Sequence, residues 1–176
     1  VHHLKCPHFW RYGNGMTEGE YLDFLLEDAK SRIETLGSEN IACFIAEPIQ
    51  GAGGLIVPPD DYHVRMGELC KEYDIKYITD EVVTAFGRLG HFFASKDIFG
   101  VQPDIITTAK GLTSGYQPLS ATIISDEIHE VISGEGSMFL HGMTYSGHPA
   151  ASAAALANIA LMEKEGIPQR VQKTGK

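Results

Sequence analysis

Ile105-Ile106-Thr107-Thr108-Ala109 runs into Lys110, Tyr77-Ile78-Thr79 into Asp80, and Ile41-Ala42-Cys43-Phe44-Ile45-Ala46 into Glu47. Each is a short β-rich apolar run halted by one charged residue, with helix-like stretches between. Such runs read as buried parallel strands, and open α/β sheets bind ligands at the carboxyl ends of their strands. The expected fold is therefore α/β, a mostly parallel sheet flanked by helices, with two carboxylates and one lysine at one rim.

Working outward from these runs, Thr17-Glu18-Gly19-Glu20 has the form of a capping box, and Leu22, Leu25, Leu26, Ala29, Ile33 and Leu36 recur at helical spacing. This predicts a helix from Glu18 to Leu36. Gln50 to Pro59 is a Gly/Pro-rich loop, and Asp60 to Tyr73 a helix leading into the strand that ends at Asp80. A further apolar run, Leu119 to Ile124, precedes a short helix over Asp126 to Ser133. Pro149 to Glu165 is Ala-rich and ends before Gly166, the asymmetry expected of a helix. Its Ala150, Ala153, Ala154 and Ala157 are expected to pack closely, and residues 1 to 16 are expected to be irregular.

The 176 residues suffice for one domain with a proper core. A net charge of −9, from 14 basic and 23 acidic side chains, supplies no basic footprint for nucleic acid and no polybasic membrane patch, so a small-molecule ligand fits better. Cys6, Cys43 and Cys70 are odd in number and lack C-x-x-C spacing, which reads as reduced thiols in a cytoplasmic protein. No apolar stretch is long enough to span a bilayer, and the Val1-His2-His3 start has neither an initiator Met nor a signal peptide's apolar core, so the chain reads as an excerpt of something longer.

A lysine at the end of an apolar strand is costly to keep charged, and burial would leave a nucleophilic amine suited to Schiff-base chemistry. The other reading of Lys110 is a lysine just past the sheet edge that reaches solvent. Gly111, Thr113, Ser114 and Gly115 leave room beside the amine and backbone N–H groups to meet a ligand. Asp80 could equally be a helix N-cap or a buried ion-pair partner. Together with Lys110 it suits pyridoxal 5′-phosphate, which needs both a lysine Schiff base and an acid on its ring nitrogen. His2, His3, Cys6 and His8 fit no regular zinc spacing, so no metal is expected. His141 and His148 flank Thr144, where helix-start, interface and substrate-contact roles are all open. No G-x-G-x-x-G or P-loop is present, and Thr113 stands where a nucleophile elbow needs serine.

Four motifs then align with one family. GluProIleGln followed by GlyAlaGlyGly (Glu47 to Gly54), ThrAspGluValValThrAlaPheGlyArg (Thr79 to Arg88), GlnProAspIleIleThrThrAlaLysGly (Gln102 to Gly111) and GlyMetThrTyrSerGlyHisPro (Gly142 to Pro149) resemble the class III aminotransferases, in the same order. The resemblance runs from about residue 40 to about 170, and within the family it points to the ω-amino acid or amine:pyruvate transaminases. It implies the type I fold of pyridoxal-phosphate enzymes, with residues 1–176 forming part of the large, cofactor-binding domain.

Carried over residue by residue, the resemblance makes Lys110 the lysine that binds pyridoxal phosphate and later shuttles the substrate proton. It makes Asp80 the partner of the pyridine nitrogen and Val82 the apolar side chain on the ring face, both on one side of an extended segment. Thr144 would donate to the phosphate of a cofactor held by the neighbouring subunit, which implies a homodimer. Glu47 matches a glutamate near the cofactor. The implied reaction moves an amino group from an amine or ω-amino acid to a keto acid such as pyruvate.

Ala85 replaces a glycine of many relatives, which its methyl permits only if φ is not positive. Val83 replaces a glutamine of some relatives, which weakens a γ-aminobutyrate or ornithine assignment. The family's Gly-Ser phosphate turn and ring-stacking aromatic would lie upstream of Val1, and its carboxylate-binding arginine and small domain beyond Lys176. The alternatives are an aminomutase or other class III enzyme of the same fold, and a catalytically inert piece acting as an assembly unit.

Overall fold

The computed structural model describes residues 1–175. In chain order the elements are α1 (Phe9–Tyr12), α2 (Glu18–Leu36), β1 (Cys43–Ala46), α3 (Tyr62–Glu72), β2 (Lys76–Asp80), α4 (Ala94–Asp97), β3 (Ile105–Thr108), β4 (Ala121–Ile124), α5 (Asp126–Ser133), α6 (Pro149–Lys164) and α7 (Ile167–Thr174), with 3-10 turns at Ser38–Asn40 and Lys110–Leu112. They belong to two compact units, Val1–Thr79 with Ser95–Pro103, and Asp80–Ala94 with Asp104–Lys176.

In the first unit, α2 begins where its capping box places it. Thr17 Oγ1 accepts from the Glu20 N–H at 3.3 Å, and Glu20 Oε2 accepts from the Thr17 N–H at 2.7 Å, which satisfies two donors that helix geometry leaves open. Tyr21, Leu22, Leu25, Ala29 and Ile33 then form the buried stripe of α2, which meets Tyr62, Met66 and Cys70 of α3 and Ile75, Tyr77 and Val101. β1 and β2 pair in parallel, Cys43 opposite Lys76 and Ala46 opposite Thr79. Their crossover is α3, as a parallel pair requires.

β1 differs from the buried strand read in the sequence, because Cys43 and Ile45 are exposed and only Phe44 and Ala46 are half-buried. Strand alternation sends the first pair away from the helices. The first sixteen residues, expected to be irregular, contain the single turn α1, closed by Gly13 N–H donating to Phe9 C=O at 2.7 Å.

His63 is the buried polar centre of this unit. Its Nδ1 lies 2.8 Å from the Tyr77 hydroxyl and its Nε2 3.0 Å from the Pro48 carbonyl. Only an N–H can face a carbonyl, so Nε2 carries the proton and Nδ1 accepts from Tyr77. Burial lowers the imidazole pKa from 6.5 to about 4, against a smaller raising effect from the Pro48 carbonyl.

In the second unit, β3 and β4 are antiparallel, Ile105 opposite Ile124 and Thr108 opposite Ala121. This pair runs opposite to the parallel arrangement expected of most of the sheet. α5 starts on Ser125, whose Oγ accepts from the Ile128 N–H at 3.4 Å, and α6 on His148, whose Nδ1 accepts from the Ala151 N–H at 3.4 Å. The helix-start role is thus the one His148 fills. The buried residues of α6 are Ala151, Ala155 and Met162, while Ala150, Ala153 and Ala157, expected to pack on the sheet or on a partner, are exposed in the single chain and Ala154 is half-buried. In a run so rich in alanine the few polar residues, Ser152, Asn158, Glu163 and Lys164, do not outline a solvent face, so periodicity says little about which alanines face inward.

The same unit holds a buried acid. Glu81 has no exposure, and its Oε2 accepts from the Ala94 N–H at 2.7 Å and the Thr84 hydroxyl at 3.1 Å. Its own N–H donates to the Thr107 carbonyl at 2.8 Å, and its carbonyl accepts from the Ala85 N–H at 3.1 Å. Replacing Glu81 by Ala is expected to destabilise the protein by about 3 kcal/mol, because two buried donors lose their acceptor, and Glu81→Gln by about 1 kcal/mol; urea denaturation measures both. His63 generates a pH dependence. Its folded pKa lies below its unfolded one, so the unfolded chain binds the extra proton between pH 6.5 and about 4 and stability falls as pH drops through that window. Urea midpoints should show a loss of about 2 kcal/mol between pH 7 and pH 5 that His63→Gln removes.

Candidate active site

Asp80 is the last residue of β2, and the chain turns sharply just after it. Asp80 Oδ1 accepts from the Val82 N–H at 3.0 Å, a short loop in which a carboxylate caps its own backbone two residues on. Val82 therefore follows Asp80 around a corner instead of along the extended segment expected from alternation. Both side chains are half-buried, and the corner uses one of the two carboxylate oxygens.

Lys110 also departs from the strand-end reading. β3 stops at Thr108, Ala109 bridges, and Lys110 opens the 3-10 turn Lys110–Leu112 with φ +38°. A left-handed L-residue is costly, and here it swings the side chain out of the strand line. The lysine is exposed, and no ion pair engages its amine among the described residues. Lys110 thus lies past the sheet edge.

Two backbones meet beside that lysine. A Cβ built on Gly111 would lie 2.8 Å from Phe86 Cβ and 3.3 Å from the Ala85 carbonyl oxygen, so only glycine permits this approach. Ala85 is not at positive φ, which explains why its methyl is tolerated; the left-handed residue is its neighbour Phe86, at φ +54°. Phe86 N–H donates to Phe92 C=O and Gly87 N–H to His91 C=O, both at 2.8 Å, folding residues 86–92 back on themselves. The loop after Asp80 and the turn after β3 are thus packed together, with Glu81 pinned to Thr107 beneath them.

Glu47 lies in the first unit, where its Oε2 accepts from the Gly51 N–H at 2.9 Å and tightens the Gly-rich loop. Gln50 and Ile56 close that loop with two mutual backbone hydrogen bonds of 3.0 Å. Thr144 lies in the exposed stretch 135–150, on a turn in which Ser146 N–H donates to Met143 C=O at 2.9 Å and Ser146 Oγ accepts from the Met143 N–H at 3.0 Å.

Asn158 escaped the sequence reading. It lies on the buried stripe of α6 with Ala151, Ala155 and Met162, and its Nδ2 donates to the carbonyls of Gly111 at 2.9 Å and Leu112 at 3.1 Å. A lone amide at helical spacing within an apolar stripe was the available signal. Glu81 was also passed over, because the adjacent Asp80 carried the motif.

Pyridoxal phosphate asks for an unengaged amine, a carboxylate for the ring nitrogen, apolar surface for the ring and donors for the phosphate. The Lys110 amine, the part-used Asp80 carboxylate and the apolar Val82 are of the kinds that fit the first three of these needs.

Residues 8–176 match the aminotransferase class-III family model. The putrescine–pyruvate aminotransferase of Pseudomonas aeruginosa is 46% identical over 170 residues, covering 97% of this chain and 37% of that protein. The mitochondrial gamma-aminobutyrate transaminase 1 of Oryza sativa subsp. indica is 44% identical over 177 residues, covering 98% of this chain and 34% of that protein. Among solved structures, an amine transaminase from an uncultivated Pseudomonas species in its pyridoxal-phosphate-bound form superposes with a TM-score of 0.91 at 43% identity, covering 98% of this chain and 39% of that one. The chain therefore spans less than two fifths of the length of each of these relatives, and its mixed α/β fold is that of the fold type I transaminases. With nearly every residue aligned at these identities, the chain belongs to the class III aminotransferase family.

Proposed function

We propose that this protein moves an amino group from an amine or ω-amino acid to a keto acid such as pyruvate, using pyridoxal 5′-phosphate bound through Lys110. The observation that carries the reading is the close packing at Gly111, which sets the turn bearing an unengaged lysine against the loop that follows Asp80. Family membership supplies the reaction class. Residues 1–176 are read as part of the family's large, cofactor-binding domain.

When bound, the cofactor supplies an electron sink for the pair released at the substrate carbon. In this reading Lys110 Nζ would hold the cofactor and would take up the proton that leaves the substrate carbon. Asp80 keeps a proton on the ring nitrogen by charge, with the corner to Val82 N–H orienting its carboxylate. Val82 offers apolar surface to the ring. Glu47 keeps one oxygen outside its bond to Gly51 and is assigned to the cofactor's neighbourhood.

Thr144 is assigned to the phosphate of a cofactor in a second subunit, which makes the active protein a homodimer. Met138, Phe139, Leu140, Met143 and Tyr145 are all exposed around it, and a run of large apolar side chains left open in one chain supports a covering partner. Val83 favours amine donors over γ-aminobutyrate. Cys6, Cys43 and Cys70 form no disulfide, which supports a cytoplasmic location, and no helix among the described residues is long and apolar enough to cross a membrane.

Incubating the protein with pyridoxal phosphate, reducing with borohydride and mapping peptides by mass spectrometry should place the adduct on Lys110. Scattered or absent labelling would overturn the reading and favour an inert assembly piece. In a donor panel running from diamines to ω-amino acids, with pyruvate as acceptor, Lys110→Ala should lower transamination by about 10³-fold or more, and Asp80→Asn by about 10²-fold.

A further inference from the structure

We infer that Asn158 is a positioning residue for Lys110, acting through the turn that bears the lysine without touching substrate or cofactor; the inference rests on the proposed role of Lys110. The Asn158 amide Nδ2 donates to that turn, at 2.9 Å to the Gly111 carbonyl and 3.1 Å to the Leu112 carbonyl, with a longer contact of 3.7 Å to Met162 Sδ within α6. Its Oδ1 accepts from the Ser114 hydroxyl at 2.7 Å. Three hydrogen bonds from one side chain therefore grip residues 111–114.

The turn needs such a grip. Lys110 at φ +38° and Ser114 at φ +50° are both left-handed without being glycine, a conformation that strains an L-residue. Leu112 N–H closes the start of the turn on Ala109 C=O at 2.9 Å, but the bonds that follow are longer, Thr113 N–H to Lys110 C=O and Ser114 N–H to Gly111 C=O both at 3.3 Å. Without Asn158 the chain is free to relax toward right-handed φ at Lys110, which would swing the amine away from its present direction. Ala151, Ala155 and Met162 place the amide by packing α6 in this unit, so the grip is as rigid as the helix. Aspartate has nearly the same shape as asparagine but donates no hydrogen bond, which separates the grip from the packing.

Hydrogen exchange on the cofactor-free protein tests the grip. In Asn158→Asp, the amides of residues 112–116 should exchange about tenfold faster while those of α7 keep their rates. Labelling by pyridoxal phosphate and borohydride tests the consequence: the yield at Lys110 relative to exposed Lys164 should fall about tenfold in Asn158→Asp and by less than about threefold in Ser114→Ala, which leaves both amide donors in place. If exchange accelerates evenly over β3, β4 and α7, or the Lys110-to-Lys164 ratio is unchanged, Asn158 is only a packing residue and the inference is overturned. Absence of label on Lys110 in the unaltered protein would instead remove the proposed function, while acceleration confined to residues 112–116 would still uphold the grip.

Discussion

The carboxylate of Glu81 sits in an interior that would reject it if its oxygens were unpaired, because a buried charge is tolerated only when hydrogen bonds replace the lost water. Here the Ala94 N–H and the Thr84 hydroxyl both point at Oε2. Residues 81 and 94 are thereby held together, and the chain between them must leave and return within thirteen residues. It does so through left-handed Phe86, whose ring packs edge-on against Phe92 and Phe93, and Gln172 of α7 closes the far end with a 2.7 Å bond to the Gly90 carbonyl. The corner at Asp80 and Val82 starts from this anchored point.

The lysine turn is the complementary half. Its conformation is unfavourable by itself, and its neighbours compensate from two sides. Gly111 lets the Ala85–Phe86 backbone approach, and Asn158 grips the carbonyls on the other side. The exposure of Lys110 follows from this geometry. Its amine makes no ion pair among the described residues.

In the first unit a neutral histidine plays the part that Glu81 plays in the second. His63 joins the Pro48 carbonyl to the Tyr77 hydroxyl, so the loop that follows β1 is fastened to α3 and β2 through one ring. Glu47 precedes that fastened residue and is bonded to Gly51 within the same loop. Its role near a cofactor is therefore a proposal drawn from likeness, set beside a local structural task that is visible.

Helix α2 was legible to the residue, because a capping box at Thr17 and a leucine stripe are local signals that need no distant partner. The four strands and α5 were legible for the same reason, as were the charged residues at the strand ends and the order of motifs that identifies the family. α7, the bend at Asp80 and Val82, the inward face of α6, and the roles of Glu81, His63 and Asn158 were not. Each of these depends on contacts between residues far apart in the chain: Glu81 meets Ala94, His63 meets Pro48 and Tyr77, and Asn158 meets Gly111. The sequence by itself determined which residue types stand where strands end, because propensity and patterning are local. Only the tertiary structure decided which of the two adjacent acids is buried and which way the lysine turns, because both depend on hydrogen-bond partners that folding alone brings within reach.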